Sequence, residues 1–140
     1  MLTQTFVAEL LPRKTQIFAA EALATILVPH LCGEALRDRD VIWFIDNEAA
    51  VSSMIRGTSR AEDVGHIAGA AQMMLLTLGA RVWFEWVDSA SNPADGMSRD
   101  GAQDTWTCKQ AWKITEWNEH DLASTLAACR QTSARQLASL

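Results

Sequence analysis

The chain has 140 residues, 49% of them hydrophobic and 21% charged, with 12 lysines and arginines against 17 acidic residues. This length suits one domain, and the composition excludes general disorder. The net charge of −5 argues against strong unaided binding of nucleic acid, since such binding depends on neutralising phosphates with basic side chains. Any role on nucleic acid would need metal ions or a neighbouring domain.

The sequence predicts a reduced intracellular protein, in the cytoplasm or the nucleus. The start, Met1-Leu-Thr-Gln-Thr-Phe, lacks the charged and apolar regions of a secretory signal. Apolar runs are interrupted every few residues, so we expect no segment of the roughly 18–20 residues that span a bilayer, and no membrane partner. The three cysteines, Cys32, Cys108 and Cys129, match no zinc or disulfide spacing.

The first predicted elements are a short strand over residues 3–9 and a helix that starts after Thr15, its expected N-cap. Pro29 should end or kink this helix, and Gly33 should close it. The apolar residues that recur at helical spacing along it are expected to be buried; they are Ile17, Ala20, Ala24, Leu27, Val28 and Leu31.

Residues 41–46 are predicted to form a strand covered on both faces, because five consecutive apolar residues precede Asp46 as in parallel sheets. Two helices should follow, over residues 47–55 and 60–78, the second ended by Gly79. Their expected buried residues are Ala50, Val51, Met54 and Ile55 in the first helix and Val64, Ile67, Ala68, Ala71, Leu75 and Leu78 in the second.

A second strand is predicted over residues 81–87, so that strand, helices and strand form a βαβ unit with parallel strands. Its tryptophans, Trp43, Trp83 and Trp86, are expected in the core. Ligands of such sheets lie outside the carboxyl ends of the strands, where Asp46 and Asp88 follow the two strands. The next motif, Asn-Pro-Ala-Asp at residues 92–95, is typical of a helix cap, a first helical residue and a first turn.

Three acids are candidates for chemistry, and each has a structural alternative. Asp46 lies at the ligand edge of the predicted sheet, but an acid there can equally cap the next helix. Glu21 lies beside the apolar stripe of the first helix, where a solvated flank position also explains it. Asp95 lies in a first helical turn, where the helix dipole favours an acid.

Taken in order along the chain, these features resemble the ribonuclease H domain of reverse transcriptases from retroelements. Four segments carry the resemblance: Ile17-Phe-Ala-Ala-Glu21-Ala-Leu-Ala24, Ile45-Asp46-Asn47, Glu85-Trp-Val87 and Asn92-Pro-Ala-Asp95-Gly-Met-Ser98-Arg99. It covers about residues 3–100, and its most specific parts are the last segment and the Asp46-Asn47 strand end. The resemblance implies an α/β fold, the ribonuclease H-like mixed sheet of five strands flanked by helices.

The activity that the resemblance implies is metal-dependent endonucleolytic hydrolysis of the RNA strand in RNA–DNA hybrids. In the four-acid site of this family, Glu21 would be the helix acid, Asp46 the acid that ends the fourth strand and Asp95 the last acid. The site would hold two Mg²⁺ ions, or Mn²⁺ in their place. Hard oxygen ligands suit these ions, which can activate water and stabilise the leaving oxygen.

The chain also departs from the family. The family's first acid lies on its first strand, and the first two strands have no counterpart here. Residues 1–100 would therefore be a partial domain, and residues 101–140 a C-terminal extension with a helix over 118–129. The loop between Val87 and Asn92 carries no histidine, although many ribonucleases H have one there.

Because the strand over residues 41–46 would lose its neighbour, the isolated chain is expected to be marginally stable. It should also be weak or inactive alone. The partners implied are an RNA–DNA hybrid or another nucleic acid, and the other domains of a reverse-transcriptase polyprotein.

Two alternatives stay open. One is a non-catalytic module derived from a retroelement that binds protein or nucleic acid. The other is an integrase- or transposase-type core, which shares the fold class. That core usually places a glutamate as its final acid on a helix, so Asp95 in an Asn-Pro-Ala-Asp turn fits it poorly.

Overall fold

The computed structural model describes residues 10, 12, 14, 16–111, 116, 118 and 120–128. Its elements follow in the order α1 (Ile17–Leu36), β1 (Asp40–Ile45), α2 (Glu48–Arg56), α3 (Glu62–Thr77), β2 (Arg81–Trp86) and α4 (Pro93–Asp100). Single 3₁₀ turns at Gly101–Gln103 and Thr107–Lys109 come next, and helical residues 120–128 form α5. The protein is mixed α/β, as predicted. The strand predicted over residues 3–9 and the cap predicted at Thr15 lie outside the described residues.

The two described strands form a parallel pair. Their register runs from Asp40 opposite Arg81 to Ile45 opposite Trp86, and α2 and α3 make the crossover between them. This confirms the predicted βαβ unit. The described residues contribute two strands to the sheet, whereas the resemblance implies five.

Helix α1 differs from its prediction in two ways. Pro29 does not end it and Gly33 does not close it, since it continues to Leu36; a kink, the other outcome predicted for Pro29, lies three residues later at Cys32, where φ is −122° and ψ is 20°. The proline is tolerated because it is buried among the packed residues of the helix, so tertiary contacts offset the hydrogen bond that it removes.

The buried face of α1 is also not the predicted one, since Ile17 and Val28 are exposed. The buried residues are instead Ala19, Ala22, Leu23, Thr25, Ile26 and Pro29. A helix that is apolar on most sides has no single stripe that periodicity can select.

The expectation that no segment could span a bilayer needs a correction at the same helix. The 20 residues of α1 are long and apolar enough to do so by length and composition alone. About a third of that apolar window, 33%, is buried inside the protein. The core helix of a soluble protein passes the same test, and α1 packs against α3.

One hydrophobic core joins α1, α2, α3, α5 and the two strands. The predicted buried stripe of α3 is confirmed for Val64, Ile67, Ala68, Ala71 and Leu75, and α2 buries Ala50, Val51 and Met54 but not Ile55. Leu122 and Leu126 of α5 belong to the same cluster. Residues beyond 100 therefore pack on the core of the preceding part, while the domain boundary at residue 100 stays a prediction.

The strand predicted to be covered on both faces is covered on one. Val41, Trp43 and Ile45 point towards the core, whereas Ile42 is 66% exposed and Phe44 57% exposed. On β2, Trp83 is 67% exposed, so the expected core position of this residue is wrong, and Trp86 is exposed as well. An unbroken apolar run fits a strand with either one or both faces covered, and the described helices lie on the inner face only.

Gly79 follows the end of α3, as predicted, and the structure shows it in the left-handed conformation, with φ of 66°. A Cβ at this position would also collide with Oδ1 of Asp38. We expect Gly79→Ala to lower the free energy of unfolding by roughly 1–2 kcal/mol, measured by urea denaturation.

The matched control for Gly79 is Gly69, which lies inside α3. A Cβ there meets only the carbonyl oxygen of Gly57 at 3.5 Å, an ordinary contact. Gly69→Ala should raise the free energy of unfolding by up to about 1 kcal/mol, because alanine is the better helix former. Equal effects of the two substitutions would contradict the claim that alanine is strained at position 79.

Candidate functional site

A pocket lies beside β1, and no residue of β2 lines it. It has a volume of about 170 Å³, and we call it the edge pocket. Its polar lining comes from Glu21 of α1, Asp46 after β1 and Asn92 before α4, with Thr25 next to them. Its apolar lining comes from Ala24, Val28, Trp43, Phe44, Ile45 and Ala94. Three segments that are distant in sequence thus meet at the carboxyl end of β1.

Asp46 reaches the edge pocket because the chain leaves β1 there. The capping alternative for Asp46 is wrong, since the N-cap of α2 is Asn47, whose Oδ1 accepts a hydrogen bond from the Ala50 amide at 3.1 Å. Within the described part of the chain, no hydrogen bond or ion pair engages the Asp46 carboxylate. The local structure therefore leaves this carboxylate available to a ligand.

Glu21 is half-buried on α1 and faces the same pocket. Burial raises the pKa of this carboxyl above its ordinary value, and repulsion by Asp46 and then by Asp95 raises the pKa further. Repulsion of this kind falls with distance and is screened by water. Glu21 is therefore not fully solvated, and Asp46 and Asp95 are both close enough to its carboxyl to raise its pKa.

The Asn-Pro-Ala-Asp motif forms the helix start that its sequence predicts. Asn92 caps α4 by accepting a hydrogen bond from the Ala94 amide at 3.1 Å, and Pro93 occupies the first turn. Asp95 lies in that turn, and its carboxylate pairs with Nη2 of Arg99 at 2.9 Å. The helix-dipole explanation of Asp95 is thus compatible with its position near Glu21.

The segment after Gly101 is fastened to α4 by a contact that the sequence analysis missed. Asp104 accepts hydrogen bonds from the amides of Trp106 at 3.1 Å and Thr107 at 2.7 Å, and these bonds lower the pKa of its carboxyl. A Cβ at Gly96 would collide with that carboxylate. The local turn has a sequence signal, because an aspartate that accepts from backbone amides two and three residues ahead is a known turn pattern, but neither segment alone indicates the contact with Gly96.

A second polar pocket, of about 300 Å³, lies between α1 and the C-terminal residues. His30, Leu31, Glu116, Asn118 and Asp121 line it, and Nδ1 of His30 is 3.4 Å from the Thr125 hydroxyl. The C-terminal residues around His30 lie 86 to 95 positions further along the chain. Asn118 also caps α5 through the His120 amide at 2.9 Å.

The carboxylates of the edge pocket have the chemistry of Mg²⁺ or Mn²⁺ ligands, since both ions prefer oxygen donors. As the side chains stand, no group of three His, Cys, Asp or Glu residues among those described could hold a metal ion. Asp95 is held by Arg99, so it would have to exchange that partner to join a metal site. The ligand set Glu21, Asp46 and Asp95 stays a prediction.

Comparisons of this chain with protein-family models, with curated proteins and with solved structures found no match. The resemblance to ribonuclease H domains therefore rests on the residues quoted above.

The raised pKa of Glu21 predicts how stability depends on pH. The folded protein binds the proton of Glu21 more tightly than the unfolded chain does, so folding loses free energy as the pH rises from the unfolded pKa through the folded one. Above that window, Glu21→Gln should be more stable than the parent, and below it the two should be equal. Urea denaturation across pH 4–8 measures this difference.

Glu85→Gln is the matched control, because Glu85 lies exposed on the outer face of β2. It should follow the pH profile of the parent protein. A Glu21→Gln variant that is less stable than the parent at neutral pH would contradict the claim that burial and the neighbouring acids disfavour the ionised Glu21.

Proposed function

We propose that this chain is the C-terminal part of a ribonuclease H-like domain from a retroelement reverse transcriptase. The complete domain would hydrolyse the RNA strand of RNA–DNA hybrids with divalent metal ions. This chain alone is weak or inactive. The observation that carries the proposal is the convergence of Glu21, Asp46 and the start of α4 on the edge pocket, with Asp46 and Asp95 both repelling the Glu21 carboxylate.

Each acid has a stated role in the proposal. Asp46, without a partner among the described residues, would be the central metal ligand, and Glu21 would be the second. Asp95 could act as a third ligand only if it gave up its ion pair with Arg99. Bound Mg²⁺ or Mn²⁺ would supply an activated water and stabilise the leaving oxygen of the RNA backbone. Bound cations would also offset the mutual repulsion of the acids, which allows an acidic protein to meet a polyanion.

The weakness of the isolated chain follows from what the described residues provide. They contribute three acids and two strands to a site that, by the resemblance, needs four acids and five strands. The strand with Asp46 at its end has one neighbour, β2. Fewer ligands leave the metals less tightly held, and a sheet with an open edge positions Asp46 less rigidly.

An interaction module without catalysis is the second candidate, and the exposed outer face of the sheet favours it. Ile42, Phe44 and Trp83 present large apolar side chains to solvent. Exposed apolar residues that form a patch mark binding surfaces more often than isolated ones do.

Calorimetric titration with Mn²⁺ at millimolar concentration separates the two candidates. The ribonuclease H-like proposal expects a binding signal for the parent chain that is lost in Asp46→Asn. Asp88→Asn is the matched control, because the exposed Asp88 follows β2 much as Asp46 follows β1. No signal for the parent chain, or equal signals for all three proteins, would favour the interaction module.

A further inference from the structure

Strand β1 has one edge on β2 and one edge without a partner among the described residues. The carbonyls of Arg39 and Ile45 accept hydrogen bonds from the β2 side, from the amides of Arg81 at 2.8 Å and Val87 at 3.1 Å. Successive residues of a strand turn their backbone groups to opposite edges. The amide and carbonyl groups of the alternate residues, Ile42 and Phe44, therefore face the other edge, which we call the free edge.

The free edge lacks the features that keep strands apart. Residues 41–45 contain no charge and no proline, although soluble proteins usually protect exposed edges with such residues. Ala24 and Val28 of α1 line the edge pocket together with Trp43, Phe44 and Ile45 of β1. Backbone groups of Ile42 and Phe44 that have no partner among the described residues, beside apolar side chains of a helix, are the features that β-strand addition uses.

The charges at the two ends of β1 indicate which kind of strand could pair with the free edge. Asp40, which pairs with Arg81 of β2, precedes the apolar residues and Asp46 follows them, so antiparallel pairing of two copies centred on Trp43 would place Asp46 opposite Asp40, with no unpaired basic side chain of β1 opposite Asp46. Like charges directly opposite destabilise a strand pair. At the carboxyl end, Glu21 and Asp46 lie together, while the nearby Arg99 is already paired with Asp95. A partner strand with a basic side chain at the carboxyl end of β1 would complement these acids, whereas a second copy of this chain would bring another acid.

We propose that the free edge of β1 binds an extended strand of another polypeptide, with alternating apolar side chains and a lysine or arginine beside Glu21 and Asp46. The main-chain hydrogen bonds to Ile42 and Phe44 give the affinity. The side chains of Ala24 and Val28 and the two carboxylates give the specificity. The proposal needs no hydrolytic activity and stands apart from the proposed ribonuclease H origin.

Selection from a random decapeptide display library on the immobilised full chain, followed by synthesis of the recovered peptides, tests the proposal. The recovered peptides should alternate apolar and polar residues and carry a basic end. Residue-resolved amide exchange by NMR should show the Ile42 and Phe44 amides fast in the free chain and at least tenfold slower with peptide bound.

Two substitutions at one position isolate the backbone contribution. Phe44→Ala and Phe44→Pro both remove the aromatic ring, but only proline also removes the amide that faces the free edge, and proline is tolerated on strand edges. Peptide should bind Phe44→Pro about tenfold more weakly than Phe44→Ala. Glu21→Gln should weaken the binding of peptides with a basic end.

Four outcomes overturn the proposal. The first is that no peptide is recovered. The second is that Phe44→Pro, with its fold verified by circular dichroism, binds as well as Phe44→Ala. The third is that the Ile42 and Phe44 amides are already slow in the dilute free chain, which means that other residues of this chain occupy the edge. The fourth is that they become slow only as protein concentration rises, which means that a second copy does. The exchange data for the parent protein decide the matter even if Phe44→Pro does not fold.

Discussion

Asp46→Asn is expected to reduce any Mg²⁺- or Mn²⁺-dependent cleavage of RNA in an RNA–DNA hybrid by at least about a hundredfold, the order of loss when one charge-stabilising group leaves an active site. Asp46 has no capping role in the local structure, since Asn47 is the N-cap of α2. Asparagine keeps the shape of the side chain but removes the negative charge that a divalent ion needs.

The loss would not arise from unfolding. Asp46 raises the pKa of Glu21 by repulsion, so its neutralisation relieves the pocket, and the variant should be at least as stable as the parent. A hybrid with labelled RNA, followed on a denaturing gel with millimolar Mn²⁺, measures the cleavage. Asp88→Asn should cleave like the parent. Cleavage that survives in Asp46→Asn would have to come from a contaminant or another site.

The sequence was sufficient to predict those features that depend on local rules. The βαβ unit, the cap at Asn92 and the end of α3 just before Gly79 were all predicted correctly. Each depends on interactions within a few residues or on the alternation of long elements along the chain. The place of Asp46 at the carboxyl end of β1 follows from the same rules, because the direction of the strand fixes where its last residue lies.

Features that depend on tertiary partners could not be predicted. The prediction of the buried face of α1 was wrong because apolar residues lie on most sides of that helix. Its contacts with α3 and α5 determine which side is buried. The exposed outer face of the sheet was not predicted, because large apolar residues such as Trp83 and Phe44 occur both in protein cores and on binding surfaces. The contact between Gly96 and Asp104 links a helix to a turn, and neither segment alone indicates it.

The edge pocket and the free edge of β1 are two consequences of one arrangement. Where β1 has no neighbour, Phe44 and Trp43 line a pocket with α1, and Asp46 opens into that pocket instead of into a sheet interior. A strand bound at the free edge would bring its own side chains beside Glu21 and Asp46. A strand bound at the free edge would therefore change the surroundings of the acids, because Phe44 and Asp46 belong both to the edge of β1 and to the pocket. This holds for either proposed function.

Leu122→Ala is expected to destabilise the protein by about 2–5 kcal/mol, the usual cost of truncating a fully buried leucine. Leu122 is 0% exposed and belongs to the core cluster that includes Leu23 and Ile26 of α1, so its loss leaves a cavity between α5 and the rest of the protein. Small domains are stable by only about 5–15 kcal/mol, and urea denaturation should show the midpoint falling sharply. Leu76→Ala is the matched control, because Leu76 is 70% exposed on α3, and it should change stability by less than about 0.5 kcal/mol. Equal, small effects of both substitutions would mean that α5 is not part of the core, and residues 101–140 would then be the separate extension that the sequence predicted.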